Sequence, residues 1–107
     1  MDIKKDGRTI FDNFDPEITE GGRIWRTNHV LHRYPGPAIE YNNGRKEWWV
    51  EGVLHRLDGP AVEDGSRKLW YANGINITYE VEKWILENNI SLPMNDEAKL
   101  IFKMRWG

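Results

Sequence analysis

A step of 23 residues recurs through the middle of the chain and constrains its fold more than any other feature of the sequence. The step separates three pairs of equivalent residues: Trp25 and Trp48, His32 and His55, and Gly36 and Gly59. Three coincident steps over uncommon residue types indicate an internal duplication. A period of about 20 to 50 residues is typical of stacked supersecondary units, so the chain is expected to be an array of small repeats.

Two full copies of the repeat are visible, with partial copies on either side. The full copies cover Gly22–Glu40 and Gly44–Glu63, and both contain Leu-His-Arg followed by Gly-Pro-Ala after two intervening residues. A third copy begins at Gly65 but has Ile77-Thr78 where its His-Arg pair would fall. Asp15–Ile18 resembles the Gly-Pro-Ala-Ile segment of a degenerate copy that precedes the first full copy. Degenerate outer copies are expected because terminal repeats must end a stack rather than continue it.

The turn signals within each copy predict β-hairpins. Dipeptides that favour tight turns separate short strand-like runs: Asn43-Gly44, Glu51-Gly52, Asp58-Gly59, Asp64-Gly65 and Asn73-Gly74. Asn-Gly and Asp-Gly supply the positive φ angles that two-residue hairpin turns require. Residues 23–78 are therefore predicted to form an antiparallel meander. Pro37 and Pro60 should mark strand starts or breaks between hairpins, because proline cannot donate a ladder hydrogen bond.

The hydrophobic period becomes helical in the last part of the chain. A first helical run places Val81, Trp84 and Ile85 on one face, and Ser91-Leu92-Pro93 ends it. Asn95 is a favourable N-cap for a second helix with acidic residues in its first turn and basic residues toward its end. The predicted core face of this second helix is Ala98, Ile101, Phe102 and Arg105, with Leu100 and Met104 near enough to join the core.

The predicted fold class is α+β and mainly β: an antiparallel β-hairpin repeat meander capped by two C-terminal helices. The 107 residues are enough for a single domain. Within it, residues 1–21 are expected to form an N-terminal cap or a degenerate repeat, residues 22–78 the hairpin repeats, and residues 79–107 a helical hairpin that covers an open sheet edge.

Composition argues against several classes of function. The chain has no cysteine, so disulfides, thiol nucleophiles and cysteine-based zinc sites are excluded, and its three histidines lack a metal-ligand spacing. A net charge of −2 without a basic run argues against duplex nucleic acid and against anionic membranes. No signal peptide or membrane span of roughly 20 apolar residues is visible, which favours the cytoplasm. No catalytic motif is present, so neither enzymatic activity nor a cofactor is predicted.

The motif Leu-His-Arg-x-x-Gly-Pro-Ala-Ile/Val-Glu, followed by Gly and an aromatic pair, resembles the repeat of small bacteriophage and large-DNA-virus proteins. The layout of that repeat is similar to MORN repeats. The resemblance covers about residues 22–76, and the motif is intact at His55–Ala61. The first copy departs from it with Tyr34-Pro35, where the second has Leu57-Asp58. The resemblance implies a viral accessory protein acting in the infected cell, and it implies no enzymatic activity.

The repeated aromatic and His-Arg positions have both structural and functional interpretations. Each Arg could hold an oxyanion with its planar fork, or it could pair with a Glu of its own or the neighbouring copy while each His packs beside a Trp. The structural interpretation is favoured, because a residue present in every full copy usually builds the repeat. Trp25, Trp48 and Trp70 form one row, while Trp49 and Tyr71 lie on the opposite strand face. One row should be core, and the other is either exposed or lies under the helices.

These patterns favour a non-catalytic viral accessory protein that binds and modulates a host protein, for instance one of host defence. The alternative is sequestration of a small anionic ligand such as a signalling nucleotide, held between Trp and Arg side chains. Association with membrane lipid ranks below both. A homodimer through the N-terminal sheet edge is a further hypothesis. The candidate binding residues are Trp49, Tyr71, His32, Arg33, His55, Arg56 and Asp58.

Overall fold

The structure is a computed structural model that describes residues 15–107, so most of the expected N-terminal cap, residues 1–14, lies outside the described residues. It confirms the predicted class, an antiparallel strand meander followed by two helices. The strands of this region are, in chain order, β1 (Glu17–Ile18), β2 (Gly22–Ile24), β3 (Arg26–Thr27), β4 (Val30–Leu31), β5 (Ile39–Tyr41), β6 (Lys46–Glu47), β7 (Trp49–Val50), β8 (Val53–Leu54), β9 (Val62–Asp64), β10 (Arg67–Leu69), β11 (Tyr71–Ala72) and β12 (Ile75–Asn76).

Six of these strands form one antiparallel sheet in the order β1-β2-β5-β6-β9-β10. The chain leaves this main sheet after β2, β6 and β10, and each time makes a short two-stranded hairpin: β3–β4, β7–β8 and β11–β12. Strand β1 pairs with β2 as β9 pairs with β10, so Glu17–Ile18 occupies the place of the strand that follows Gly-Pro-Ala in the full copies.

The three hairpins turn in the same way. Their two central residues all have positive φ, at Asn28 and His29, Glu51 and Gly52, and Asn73 and Gly74. Positive φ at both positions defines the type I′ geometry, whose twist matches that of the flanking strands. Glycine stands at the second position in two hairpins, whereas the first hairpin holds His29 there at a φ of 70°.

Each hairpin is joined to the next by the same backbone hydrogen bonds. The N–H of Gly52 donates to the carbonyl of Leu31, and one copy later the N–H of Gly74 donates to Leu54, both at 2.8 Å. The N–H of Arg33 likewise donates to Trp49 at 3.1 Å, and that of Arg56 to Tyr71 at 3.2 Å. The copies are therefore related by repetition of the same contacts along the chain, as the 23-residue step predicts.

Helices α1 (Thr78–Glu87) and α2 (Asp96–Trp106) close the C-terminal end. Asn95 caps α2 as predicted, with its side chain accepting from the Ala98 N–H at 2.8 Å. The main hydrophobic core lies where the third copy meets these helices, and its members are Trp70, Ala72, Ile77, Val81, Trp84, Met94, Ala98 and Phe102. Elsewhere in residues 15–107, the buried hydrophobic residues are Trp25, Ala38, Ala61 and Val62.

The outer face of α2 differs from the prediction. Leu100 and Met104, expected near the core, are 60% and 78% exposed, and Ile101 is also exposed. The buried residues of this helix are Ala98 and Phe102. At 3.6 residues per turn, Leu100 and Met104 point almost directly away from that face, so their assignment to the core was wrong.

Candidate functional site

The Arg of each His-Arg pair stacks on the Trp of its own copy. The guanidinium carbon of Arg33 lies 3.8 Å from the ring centroid of Trp25, and that of Arg56 lies 3.9 Å from Trp48. Both distances are well inside the approximately 6 Å within which a cation is attracted to an aromatic face. The side chain that covers each tryptophan ring is thus Arg, whereas the sequence pattern predicted His beside Trp.

The Gly-Pro-Ala segment and the Glu that follows it provide further contacts of each guanidinium. Nη1 of Arg56 donates to the carbonyl of Pro60 at 3.0 Å and lies 3.3 Å from Oε2 of Glu63. A Cβ on Gly59 would come within 2.6 Å of the Arg56 guanidinium carbon. A side chain at this position would therefore displace the guanidinium, which occupies the space that the Cβ would need.

The first copy repeats this arrangement with one difference of backbone. Nη1 of Arg33 donates to the carbonyl of Pro37 at 3.2 Å and lies 3.7 Å from Glu40. Gly36 packs on Arg33 as Gly59 packs on Arg56, but at a φ of 110°. The predicted pairing of each Arg with a Glu is confirmed in both copies.

Each His ties its copy to the following hairpin. Nδ1 of His32 accepts from the Glu51 N–H at 2.9 Å, and Nδ1 of His55 accepts from the Asn73 N–H at 2.8 Å. A ring nitrogen that accepts carries no proton, so the imidazole proton resides on Nε2. The histidines thus link successive copies, which explains their recurrence without invoking a ligand.

The third copy replaces the His-Arg pair with contacts to the helices. Ile77 stands at the histidine position, and its N–H donates to the carbonyl of Trp70 at 2.8 Å. The ring of Trp70 packs on Phe102 of α2, with the ring centroids 5.5 Å apart. In the third copy, an aromatic ring from α2 therefore contacts the tryptophan that has no arginine partner among the described residues.

The two full copies differ at the residue before Gly-Pro. In the second copy, Nε of Arg56 donates to Oδ1 of Asp58 at 2.8 Å. In the first copy Pro35 stands at that position, after a cis peptide bond from Tyr34. Nε of Arg33 has no acceptor among residues 15–107, so its guanidinium has the Glu40 carboxylate but no counterpart of the Asp58 carboxylate.

A cleft of about 520 Å³ lies at this difference, between the loops of the two full copies and helix α2. Tyr34 and Trp48 contribute aromatic surface, and Arg33, Arg56 and Lys103 contribute positive charge. Small-ligand sites typically occupy about 300 to 1,000 Å³ and combine apolar walls with a few polar groups. The cleft has that size and character.

Four of the predicted binding residues line this cleft: Arg33, His55, Arg56 and Asp58. His32, Trp49 and Tyr71 do not line it. Sequence reasoning did not select Tyr34, Trp48 or Lys103. The replacement of Leu57-Asp58 by Tyr34-Pro35 was the visible signal for the first of these, but nothing in the sequence brings Lys103 to the same place.

Trp49 is half-buried and tied to a charged network in the main sheet. Its indole N–H donates to Oε1 of Glu47 at 2.9 Å. Nη2 of Arg45 lies 2.9 Å from Oε2 of Glu47, and its Nη1 lies 3.1 Å from Asp64. The hydrogen bond to Glu47 raises the pKa of Arg45. Burial, helped by the Glu47 charge, raises the pKa of the Tyr41 phenol.

Besides the predicted row of Trp49 and Tyr71, another row of side chains recurs along the hairpins and is exposed. Val30, Val53 and Ile75 stand at the same position of successive hairpins and are 42%, 42% and 66% exposed. Each hairpin packs on the next beside this position, because a Cβ on Gly52 would lie 3.7 Å from Cβ of Val30, and one on Gly74 would lie 3.8 Å from Cβ of Val53. We call Val30, Val53 and Ile75 the hairpin row.

Neither helix of the described part of the chain combines the length and the apolar character needed to cross a bilayer. Within residues 15–107, no three side chains of His, Cys, Asp or Glu come together in a way that could hold a metal ion. Comparisons of the chain with protein-family models, curated proteins and solved structures find no match.

Proposed function

We propose that this chain is a non-catalytic viral accessory protein that binds and modulates a host protein, and that the hairpin row makes the contact. The observation that supports this proposal most directly is the exposure of Val30, Val53 and Ile75 at the same position of three successive hairpins. The viral origin, and with it the cytoplasm of the host cell as the place of action, rests on the resemblance of the repeat.

The contrast between the repeated rows supports this assignment. Each His of the repeat accepts a hydrogen bond from the next hairpin, each Arg is stacked on a tryptophan, and the Trp49 indole donates to Glu47. Single apolar residues on a surface need no explanation, but the hairpin row places one at the same position of three adjacent hairpins, and apolar patches are typical of interaction surfaces. Branched aliphatic side chains lose only about 0.5–1 kcal/mol of rotamer entropy when buried, which favours their use in a contact.

The test is affinity capture from a lysate of host cells, with quantitative mass spectrometry of the bound proteins. The double variant Val53→Thr/Ile75→Thr keeps β-branched side chains in the hairpins but makes the row polar. The matched control is Leu86→Thr, since Leu86 is 79% exposed on α1 and outside the row. A host protein captured by the wild type and the control but lost from the double variant is expected. Equal capture by all three would contradict the proposal.

The cleft favours a second function, the sequestration of a small anionic ligand such as a signalling nucleotide. Its aromatic walls and three cationic side chains suit a base and a phosphate. This function predicts a rise in melting temperature with a nucleotide that is reduced in Lys103→Gln. Lys103 is the informative position because it is exposed and has no ion pair within residues 15–107, whereas replacing Arg56 would also remove its stack on Trp48. No shift with any nucleotide would exclude this function.

A further inference from the structure

The repeat itself indicates which chemical group is missing from the first copy. In the second copy, the carboxylate of Asp58 accepts from Nε of Arg56 at 2.8 Å. Arg33 has the same stack on tryptophan and the same bond to a proline carbonyl, but Pro35 supplies no carboxylate. The first copy therefore presents a guanidinium that is held by Trp25 and Pro37 but whose Nε–H has no acceptor among the described residues.

The surroundings of this guanidinium are those of a binding site. Arg33 lines the cleft together with Tyr34 and Lys103, and the Lys103 ammonium has no ion pair among residues 15–107. The apolar side chain of Leu57 also lines the cleft. A donor held in place before binding loses little conformational entropy on binding, and the stack on Trp25 at 3.8 Å holds Arg33 in this way.

We propose that this cleft binds an acidic side chain of the partner protein, with its carboxylate on Nε of Arg33 and near the Lys103 ammonium. This assignment rests on the proposed function and names the chemistry of the segment that the partner presents. A carboxylate is the group that the second copy places on the same atom, and hydrogen bonds between charged groups are about twice as strong as neutral ones. An apolar residue beside the acidic one packs on Tyr34 and Leu57.

The probe is a blocked tetrapeptide, Leu-Asp-Gly-Pro, which has the sequence of residues 57–60. NMR spectra of the arginine Nε–H groups, with the Arg33 signal assigned by its loss in Arg33→Lys, report binding at the atom concerned. We expect the peptide to shift this signal, and the Leu-Asn-Gly-Pro peptide to bind at least about tenfold more weakly. Lys103→Gln should weaken binding several-fold. The matched control Lys99→Gln, on the same helix and outside the cleft lining, should not.

The double variant Tyr34→Leu/Pro35→Asp gives the first copy the loop sequence of the second. We expect its new carboxylate to occupy Nε of Arg33 and abolish peptide binding. Equal binding of the Asp and Asn peptides, unchanged binding by the double variant, or no shift with either peptide would overturn the inference. A shift of Arg33 by adenosine monophosphate alone would overturn it in favour of a phosphate ligand. All these measurements use purified protein and synthetic ligands, so they can fail while capture through the hairpin row succeeds.

Discussion

Gly59→Ala should reduce the stability of the fold by about 2 kcal/mol through its effect on one side chain, that of Arg56. The new Cβ would stand 2.6 Å from the guanidinium carbon, whereas carbon atoms pack at about 3.5–4.0 Å. The backbone at Gly59 is outside the region of positive φ, so alanine introduces no backbone strain there. The guanidinium must therefore move by about 1 Å, away from the partners it has in the native state.

The size of the effect follows from what the guanidinium loses. Its stack on Trp48 contributes about 0.5–2 kcal/mol, and its hydrogen bond to the Pro60 carbonyl about 1 kcal/mol. The ion pairs with Asp58 and Glu63 are partly exposed and contribute about 0–1 kcal/mol each. Partial loss of these contacts gives about 2 kcal/mol.

A double-mutant cycle with Arg56→Ala, followed by urea unfolding, isolates this effect. Without the guanidinium, Gly59→Ala should be neutral or stabilise by about 0.5 kcal/mol, because alanine restricts the unfolded chain. The expected coupling energy is about 2 kcal/mol, within the range for residues in contact. A coupling energy below about 0.5 kcal/mol would show that the position of the Arg56 guanidinium does not depend on glycine at residue 59. It would refute this explanation of the Gly-Pro-Ala motif.

Three further substitutions test other parts of the fold by the same unfolding measurement. His55→Ala should cost about 1 kcal/mol because the Asn73 N–H loses its acceptor, and His55→Asn, which retains an acceptor, should cost less; equal losses would count against the link. His29→Gly should stabilise by about 0.5–1 kcal/mol by relieving a side chain at positive φ, and no gain would contradict that reason. Phe102→Ala should cost about 3–5 kcal/mol and Leu100→Ala less than about 0.5 kcal/mol; similar losses would count against the orientation of α2.

Much of the fold could be predicted because the same local sequence signals recur in each copy of the repeat. The turn dipeptides, the strand runs between them and the Asn95 cap each act through local backbone geometry; the prediction was wrong at Asp58-Gly59, whose glycine lies outside the region of positive φ because it packs on Arg56 rather than closing a hairpin. The pairing of each Arg with a Glu was also predictable, since opposite charges recur together in both full copies.

Other features were not predictable because they depend on distances between elements. Periodicity could not show that Arg, rather than His, covers the tryptophan, since both stand at fixed offsets from it. It also could not show that Phe102 would reach Trp70, because the connection between the two helices sets that approach. At Glu47, a carboxylate stands where the flanking copies have Ile24 and Leu69, and this break in the pattern was a visible signal of the Trp49 network.

The residues that the cleft draws from the repeat were predictable from the sequence, whereas the residue that it draws from helix α2 was not. Arg33, His55, Arg56 and Asp58 stand out within the repeat, and they line it together. Lys103 belongs to a part of the chain with no repeat, so only the folded structure brings it to the cleft.

The recurrence of identical hydrogen bonds from one copy to the next has a consequence for the length of such chains. The acceptor that each full copy offers to its successor meets an equivalent donor, since Leu31 and Leu54 accept from the N–H groups of Gly52 and Gly74 at 2.8 Å. A gene duplication of residues 33–55 would therefore insert one more unit without disturbing either end, provided that Phe102 still covers the last tryptophan. Each unit added in this way would extend the hairpin row by one side chain.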